Sequence, residues 1–305
     1  MSRLPYRSLS SYLREKFGCR VQKISLDAGL SCPNRDAGNK GGCIYCNLKG
    51  SGTGVYAAGV SLKEQIEAQM AFMTRRYKAK AFIAYFQSYS NTYADVETLK
   101  SIYDHILPYP EIVGLAIGTR PDCIDREKLD LISSYGTKRL VWIEYGLQSA
   151  DDETLKRINR GHDVKTFIDA VNLTGQYNIR ICAHIIIGLP GEGMEQYLNT
   201  SRLIANLPVT DVKLHLLYII KGTPLEETYK KGLYQPLSMD EYALAAAHVL
   251  ANLRDDMVIQ RITGDPHADE LVAPAWAMEK TRVRMAIKEK MDHLQIHQGK
   301  LFSKP

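Results

Sequence analysis

The run IRICAHIIIG, residues 179–188, is almost continuously apolar. A β-strand has this composition when both of its faces are covered, as in a parallel sheet flanked by helices. Other short runs rich in β-branched and aromatic residues are also predicted as strands; they are Val21–Leu26, Ala79–Phe86, Ile112–Gly118, Arg139–Gly146 and Asp211–Ile220. The pattern predicts an α/β fold with about six parallel strands.

Longer amphipathic segments separate the predicted strands. In the first of them, Leu62, Ile66 and Met70 recur at helical spacing and share one face, and Ser61 with Glu64 has the spacing of a capping box. Further helices are predicted at Asp95–Leu107, Asp125–Ser134, Val164–Tyr177 and Gly193–Leu207. Alternating strands and helices form a parallel sheet that is either open or rolled into a barrel.

The 305 residues contain no repeat of fixed period and no linker-like stretch, which favours one large domain with extensions. We assign residues 1–17 to a basic N-terminal extension, 18–225 to a barrel open on one side, and 226–305 to a C-terminal helical extension. That last segment contains two predicted helices, Met239–Leu253 and Trp276–Leu294.

Basic residues concentrate at the two ends of a chain whose net charge is only +5. The first 23 residues hold one acid, Glu15, and six bases: Arg3, Arg7, Arg14, Lys16, Arg20 and Lys23. From residue 280 onward, Glu289 and Asp292 are outnumbered by Lys280, Arg282, Arg284, Lys288, Lys290, Lys300 and Lys304. This distribution suits a polyanionic partner such as RNA, although solvated helix faces have the same composition.

Polar residues and glycines follow five successive predicted strands. They are the cysteine-containing stretch 31–47, QSYSNTY at 87–93, TRPD at 119–122, Gln148–Ser149 and GLPGE at 188–192. In a parallel barrel the carboxyl ends of the strands share one rim, where active sites are built. The sequence therefore predicts a functional site at that rim.

The stretch SCPNRDAGNKGGCIYCN, residues 31–47 (the cysteine loop), contains Cys32, Cys43 and Cys46. Three thiolates in one loop can hold three corners of an iron–sulfur cube and leave the fourth iron open. The glycines at 38, 41 and 42 allow the loop to fold back on itself. The spacing does not fit a thioredoxin pair or a four-ligand zinc ribbon. A zinc site completed by a distant residue, or three buried free thiols, remain alternatives.

The remaining cysteines, Cys19, Cys123 and Cys182, have no partner at ligand spacing, and Cys182 has the surroundings of a small core residue. No disulfide framework is indicated, which favours a reducing cytosol. The N-terminus lacks the apolar segment of a signal peptide, and no apolar run has the length of a membrane span. We expect a cytoplasmic protein without a membrane contact.

Taken together, six motifs resemble the radical S-adenosylmethionine (radical SAM) superfamily, and within it the YhcC/YtqA group, which is related to the radical SAM domain of the Elongator catalytic subunit. The motifs are CPNRDAGNKGGCIYCN at 32–47, YFQSYSNTY at 85–93, GTRPDCI at 118–124, EYGLQSADDETLKRINRGHD at 144–163, HIIIGLPGE at 184–192 and KLHLLYIIKGTPLE at 213–226. Ten residues separate the first two cysteines, whereas three is the commonest spacing in the superfamily; this longer loop is similar to that of the Elongator group.

The resemblance implies a partial (β/α)6 TIM-like barrel with N-terminal and C-terminal helical extensions. It implies that Cys32, Cys43 and Cys46 ligate a 4Fe–4S cluster whose fourth iron is chelated by S-adenosylmethionine (SAM). Reduction by an external one-electron donor, flavodoxin-like or ferredoxin-like, would then cleave SAM to methionine and a 5′-deoxyadenosyl radical. The acetyltransferase half of the Elongator subunit is not expected within these residues.

The resemblance also implies residues that contact SAM. We assign Glu144 to the ribose hydroxyls, Arg160 to the carboxylate, and Gln148 and Ser149 to the nucleoside. We assign Gly188 to the adenine, and Asn91 and Thr92 to the methionine amino group. Each has a structural alternative. The alternatives are a salt-bridged strand end for Glu144, a surface position for Arg160, helix capping for Gln148 and Ser149, a simple turn for Gly188, and an Asx turn for Asn91 and Thr92. His162, His184 and His215 are interpreted as core or rim histidines.

The relation to Elongator and the basic ends favour tRNA as substrate, with modification of the wobble uridine as the leading hypothesis. A small molecule or a peptide is the alternative within the same enzyme class. A cluster-bearing electron carrier or RNA-binding protein without SAM turnover is a second alternative.

Overall fold

The computed structural model describes residues 4–36, 41–47, 50, 52 and 54–303. Its centre is a seven-stranded, all-parallel sheet whose strands lie side by side in chain order and curl into a half-barrel. These strands are β1 (Val21–Leu26), β2 (Ala81–Phe86), β3 (Ile112–Thr119), β4 (Leu140–Gln148), β5 (Arg180–Ile187), β6 (Asp211–Leu216) and β8 (Val258–Arg261). Two short strands, β7 (Ile219–Ile220) and β9 (Leu271–Ala273), form a separate antiparallel pair.

Helices follow most of the strands and cover the outer face of the sheet. They are α1 (Leu9–Phe17), α2 (Pro33–Asp36), α3 (Leu62–Tyr77), α4 (Val96–Asp104), α5 (Arg126–Ser134), α6 (Asp152–Arg157), α7 (Val164–Thr174), α8 (Met194–Ala205), α9 (Pro224–Lys230), α10 (Met239–Asn252) and α11 (Lys280–His293). The capping box predicted at Ser61 and Glu64 is present at the start of α3. Among the described residues, no helix is both long and apolar enough to cross a bilayer.

The predicted parallel half-barrel is confirmed, but the strand count was one too low. The missed strand, β8, has only the four residues VIQR and lies in a segment predicted to be helical. It pairs with β6 and becomes the far edge of the sheet. The predicted strand Asp211–Ile220 is divided, since the chain leaves the sheet after Leu216 and β7 pairs with β9 instead. The division of the chain at residues 17 and 225 stays a prediction.

Helix α1 closes the amino end of the half-barrel, where the first and last strands do not pair. Leu13 is buried there with Val21 and Trp142. The backbone next to α1 joins β8, since the Ile259 amide donates to the Arg7 carbonyl at 2.8 Å. The predicted N-terminal extension is therefore part of the barrel's packing.

The two ends of the chain meet at one glutamine. The Gln298 backbone amide donates to Pro5 O at 2.9 Å, and its side-chain oxygen accepts from the Arg7 amide at 2.9 Å. The side-chain nitrogen of Gln298 donates to Arg254 O and Met257 O, just before β8. Gln298 is 4% exposed, so these hydrogen bonds lie in the interior.

Candidate active site

A cavity of about 440 Å³ opens at the carboxyl ends of the strands. Its wall includes Cys32, Cys43 and Cys46 from the cysteine loop. Strand residues from across the half-barrel complete the wall, among them Ser25, Tyr85, Gly118, Glu144, His184, Lys213 and Arg261. The predicted location of the site at the rim therefore coincides with this cavity.

The cysteine loop is held in place by backbone contacts to the segment that follows α6. Asn34 donates from its side chain to Asn159 O at 2.6 Å, and the Asn159 side chain donates to Gly42 O at 2.7 Å. The Ile44 amide donates to Ile158 O at 3.1 Å. These contacts bring Cys43 and Cys46 to the same cavity as Cys32.

Two of the three glycines predicted to fold the loop back have left-handed backbone conformations. Gly41 has a φ of 69° and Gly42 a φ of 78°. Only glycine adopts such values without strain. Gly38 lies outside the described residues, as do its neighbours at 37, 39 and 40.

Guanidinium groups surround the thiols. Arg160 Nη1 lies 3.6 Å from Cys43 Sγ, and Arg35 Nη2 donates to Cys46 O at 2.9 Å. Burial raises the pKa of the Cys46 thiol, while Arg35 acts to lower it. Three cysteine sulfurs on one wall, free of disulfides and close to cations, fit an iron–sulfur cluster, because cluster and thiolates together carry negative charge.

Arg160 is positioned by strand β4 and by a second arginine. Its Nη2 donates to Gly146 O at 2.6 Å, and Arg120 Nη1 donates to Arg160 O at 2.7 Å. A Cβ at Gly146 would lie 2.5 Å from both Arg160 Nη2 and Gln148 Nε2. A glycine is therefore required where this guanidinium crosses the strand.

Glu144 lies on the cavity wall in β4 with a fully buried side chain. Lys23 Nζ donates to its Oε1 at 2.5 Å, Lys213 donates to Oε2, and His184 Nε2 lies 3.0 Å from Oε2. Burial alone would raise the pKa of Glu144, but Lys213 and Lys23 hold it well below the usual value. Glu144 is thus salt-bridged and also lies on the cavity wall, and its contact with the SAM ribose stays a prediction.

Burial lowers the pKa values of the basic groups around Glu144. Lys213 is lowered to about 7 and His184 to about 4, while His215 is held well below its usual value. His184, Glu144 and Cys182 have potential ligand atoms within 4.8 Å of one another. Lys23 and Lys213 already pair with the Glu144 carboxylate, however, so these three residues together are unsuited to bind a metal cation.

Residues 32–204 match the model of the Radical SAM superfamily, and residues 209–293 match that of the Radical_SAM C-terminal domain. The chain belongs to the radical SAM superfamily. Members of this superfamily are enzymes that bind a 4Fe–4S cluster and SAM and need an external electron donor.

Similar proteins place this radical SAM chain in the YhcC/YtqA-type group. It is 36% identical to YtqA of Bacillus subtilis over 98% of this chain and 93% of YtqA. It is 37% identical to YhcC of Escherichia coli over 87% of this chain and 85% of YhcC. The tRNA uridine(34) acetyltransferase of Dehalococcoides mccartyi is 35% identical over only 41% of this chain and 27% of its own length.

A solved structure shares the fold. The archaeal Elp3 of Methanocaldococcus infernus superposes with a TM-score of 0.66 at 17% identity, and covers 91% of this chain. The chain spans 64% of the length of that structure. At this identity the likeness concerns the fold alone.

Three of the seven residues predicted to contact SAM line the cavity of this radical SAM protein: Glu144, Gln148 and Arg160. The other four belong to the rim but are not on the cavity wall: Asn91, Thr92, Ser149 and Gly188.

The four outlying residues have partners within the fold. Thr92 Oγ1 bonds to Thr119 Oγ1 at 2.6 Å and Cys123 O at 2.7 Å, and Asn91 Nδ2 donates to Ser88 O and Gly118 O. Ser149 Oγ accepts from the Asp151 amide at the start of α6 and donates to Glu192. Gly188, with a φ of 99°, forms a turn that packs near Leu237. Among all described residues, Asn91 Oδ1 is one of few buried polar atoms without a hydrogen-bond partner.

Sequence reasoning did not assign Lys213 and Arg261 to the site, and it interpreted His215 only as a core or rim histidine. A signal was present on β6, because Asp211, Lys213 and His215 alternate with apolar residues in the strand DVKLHL and so share one face. Arg261 lies on β8, which was not predicted. Tyr85 and Tyr218 complete this part of the wall.

Acid is expected to destabilise the protein through its buried histidines. An unfolded histidine binds a proton near pH 6.5, whereas His184 does so only near its lowered pKa of about 4. The unfolded state therefore binds more protons as the pH falls between these values, and His184 alone removes about 3 kcal/mol of the free energy of unfolding over that interval. His215 acts in the same direction.

Urea unfolding followed by circular dichroism between about pH 7 and pH 4 measures this loss. The variant His293→Gln, at an exposed position on α11, should show the same pH profile as the wild type. A free energy of unfolding that stays constant over the interval would contradict the prediction.

Proposed function

We propose that this radical SAM enzyme uses Cys32, Cys43 and Cys46 as the ligands of its 4Fe–4S cluster and acts on tRNA at the wobble uridine. One observation carries the ligand assignment: the three thiols lie on the wall of a single cavity, with Arg160 3.6 Å from one of them. When bound and reduced, the cluster supplies the electron that cleaves SAM to methionine and a 5′-deoxyadenosyl radical. The protein's own groups hold the reactants and exclude water.

Two of the predicted SAM contacts are carried into this proposal. Arg160 is buried at the thiols, where a guanidinium suits the SAM carboxylate, and Gln148 lies on the same wall for the nucleoside. Tyr45, between the last two cysteines, shields the cluster side of the cavity. Thr92, Ser149 and Gly188 are left out because their contacts serve the rim itself, and Asn91 is left out because it does not line the cavity.

The tRNA assignment rests on similarity and not on charge. Support comes from the partial match to a tRNA uridine(34) acetyltransferase. The basic tail gives less support than its composition indicated, because four of its bases form ion pairs: Lys280 with Asp265, Arg282 with Glu279, Lys288 with Asp292, and Lys290 with Asp240. Arg3 and Lys304 lie outside the described residues.

We also propose that the enzyme works in the cytoplasm with a flavodoxin-like or ferredoxin-like donor. The free thiols on the cavity wall require reducing conditions to remain available as ligands.

Anaerobic reconstitution with iron and sulfide, followed by dithionite and SAM, tests the proposal. We expect 5′-deoxyadenosine to form, and to form faster when tRNA is added, with a modified wobble nucleoside in digests of that tRNA. Failure to form deoxyadenosine in reconstituted, cluster-containing protein would overturn the proposed cleavage of SAM. Deoxyadenosine without any effect of tRNA on its rate, and without a modified nucleoside, would overturn the tRNA assignment alone.

A further inference from the structure

The deep wall of the cavity carries more positive than negative charge. Lys213 on β6 and Arg261 on β8 are register partners in the sheet, so their Cα atoms lie at the same level. Lys23 on β1 does not line the cavity, but it shares Glu144 with Lys213. This part of the wall, as far as the structure describes it, therefore has two cations and one carboxylate, and Lys23 adds a third cation next to it.

Arg261 forms no ion pair with the Glu144 carboxylate. Its guanidinium has no hydrogen bond or ion pair with any described residue, although it lines the cavity and is only partly exposed. The two lysines have further partners, since Lys213 Nζ lies 4.1 Å and Lys23 Nζ 4.7 Å from the centre of the Tyr85 ring. A partly buried guanidinium without a partner is unfavourable unless a ligand supplies one.

The acids nearest to the mouth of the cavity are engaged elsewhere. Asp265 is bound by Lys280, and Glu270 accepts from the Asn47 side chain at 3.2 Å. Asp211, below the cavity, pairs with Arg180 at 2.7 Å. These contacts leave Arg261 facing the cavity.

His215, beside Arg261 on the cavity wall, can donate a hydrogen bond to an anion. Its pKa is held well below the usual value, so at neutral pH the ring is uncharged and carries one N–H. The His184 ring lies 5.6 Å from it, but its Nε2–H is already donated to Glu144. Tyr218, Arg261 and Cys46 all line the same cavity, so this subsite lies next to the cysteine loop. Tyr218 is held there by Gly264, where a Cβ would lie 2.7 Å from its ring.

We infer that Arg261, with Lys213 and His215, binds a carboxylate or phosphate group of the substrate next to the SAM site. This inference rests on the proposed function and deepens it, because SAM's own carboxylate is assigned there to Arg160. A planar guanidinium binds either anion through two parallel hydrogen bonds, which would orient the neighbouring carbon toward the SAM site. The substrate portion that enters the cavity is therefore anionic, whether it is a nucleotide phosphate or the acid group of a small molecule.

The first test is calorimetric titration of the cluster-reconstituted protein with inorganic phosphate, acetate and neutral acetamide, each with and without saturating SAM. We expect phosphate or acetate to bind at one site in the presence of SAM, and acetamide not to bind. The anion that binds more tightly distinguishes a phosphate-bearing from a carboxylate-bearing substrate. Absence of anion binding would overturn the inference. Loss of that binding when SAM is added would also overturn it, because it would show that the anion occupies the site of the SAM carboxylate.

Variants then test the residue. Arg261→Gln should weaken the binding of the better anion at least tenfold, and Arg261→Lys should give an intermediate affinity because it keeps the charge and loses the planar fork. The matched control is Arg75→Gln, which removes an exposed arginine from the outer face of α3 and should bind as the wild type does. Equal affinity of Arg261→Gln and Arg75→Gln for that anion would contradict the proposal.

Two further readouts separate a binding role from a structural one. Without anions, Arg261→Gln should melt no lower than the wild type, since it removes a cation from positive surroundings; with anions, only the wild type and the control should gain melting temperature. Anion binding should also take up protons near neutral pH, because an anion raises the pKa of Lys213 from its value of about 7. Titrations in two buffers of different ionisation enthalpy measure that uptake.

The charged and titratable groups that face Lys213 come from every strand around it. They are Lys23, Tyr85, Glu144, Cys182, His184, His215 and Arg261. An anion that binds with no proton uptake in the wild type would show that it does not reach this group. None of these measurements depends on deoxyadenosine formation, so the failure of this inference and that of the proposed enzyme reaction are distinguishable.

Discussion

Cys43→Ala is expected to lose the cluster and with it all cleavage of SAM. Cys43 is 6% exposed and lies nearest to Arg160, so its sulfur is held in one place by the fold. Removing one of three thiolates takes away a corner ligand, and no other described cysteine lines the cavity to replace it. Reconstituted Cys43→Ala protein should show background iron, no visible absorption band of a cluster, and no 5′-deoxyadenosine above a protein-free control.

Cys19→Ala provides the control. Cys19 is half-buried between α1 and β1, away from the cavity, and its alanine variant should keep the iron content and the deoxyadenosine yield of the wild type. Wild-type iron content in Cys43→Ala would show that the cluster ligands lie elsewhere.

Glu144→Gln is expected to destabilise the protein by about 3–5 kcal/mol, because it leaves the ammonium groups of Lys23 and Lys213 without their shared counter-charge in the interior. The free energy of unfolding in urea measures this loss. The matched control is Glu153→Gln, which breaks a pair with Lys156 whose side chains are 72% and 73% exposed. That control should cost less than about 1 kcal/mol.

A second substitution identifies the cause. If unpaired charge is responsible, adding Lys213→Met to Glu144→Gln should recover part of the lost free energy of unfolding, because it removes one of the two unpaired cations. Equal losses for Glu144→Gln and Glu153→Gln would show that the buried network contributes no more than a surface pair.

The sequence predicted the elements whose signal is local. Strand β1 was predicted with its observed bounds, since VQKISL is a short run flanked by turn residues. Strand β8 was missed because four residues give no periodicity to read, and its place in the sheet depends on β6, more than forty residues earlier.

At the site, residue types were easier to predict than their contacts. The cysteines were found because three thiols in one loop are a local pattern. Glu144 was singled out as a polar strand residue, but its partners Lys23 and Lys213 are 121 and 69 residues away, and only the fold brings them together. Thr92 likewise had the expected position after its strand, yet its hydroxyl is used by Thr119 and Cys123.

The hydrogen bonds of Gln298 have a consequence for the order of events during synthesis. Strands β1 to β6 are synthesised well before residue 298. At that stage the amino end of the half-barrel lacks the contacts that Gln298 and β8 make with residues 5 and 7. Residues 5 and 7 find their partners only when Gln298 and β8 have emerged. Contacts across almost the whole sequence are slow to form, since their loop-closure entropy is lost before they contribute. Docking of the N-terminal segment is therefore expected to be a late folding step, which waits for β8 and residue 298.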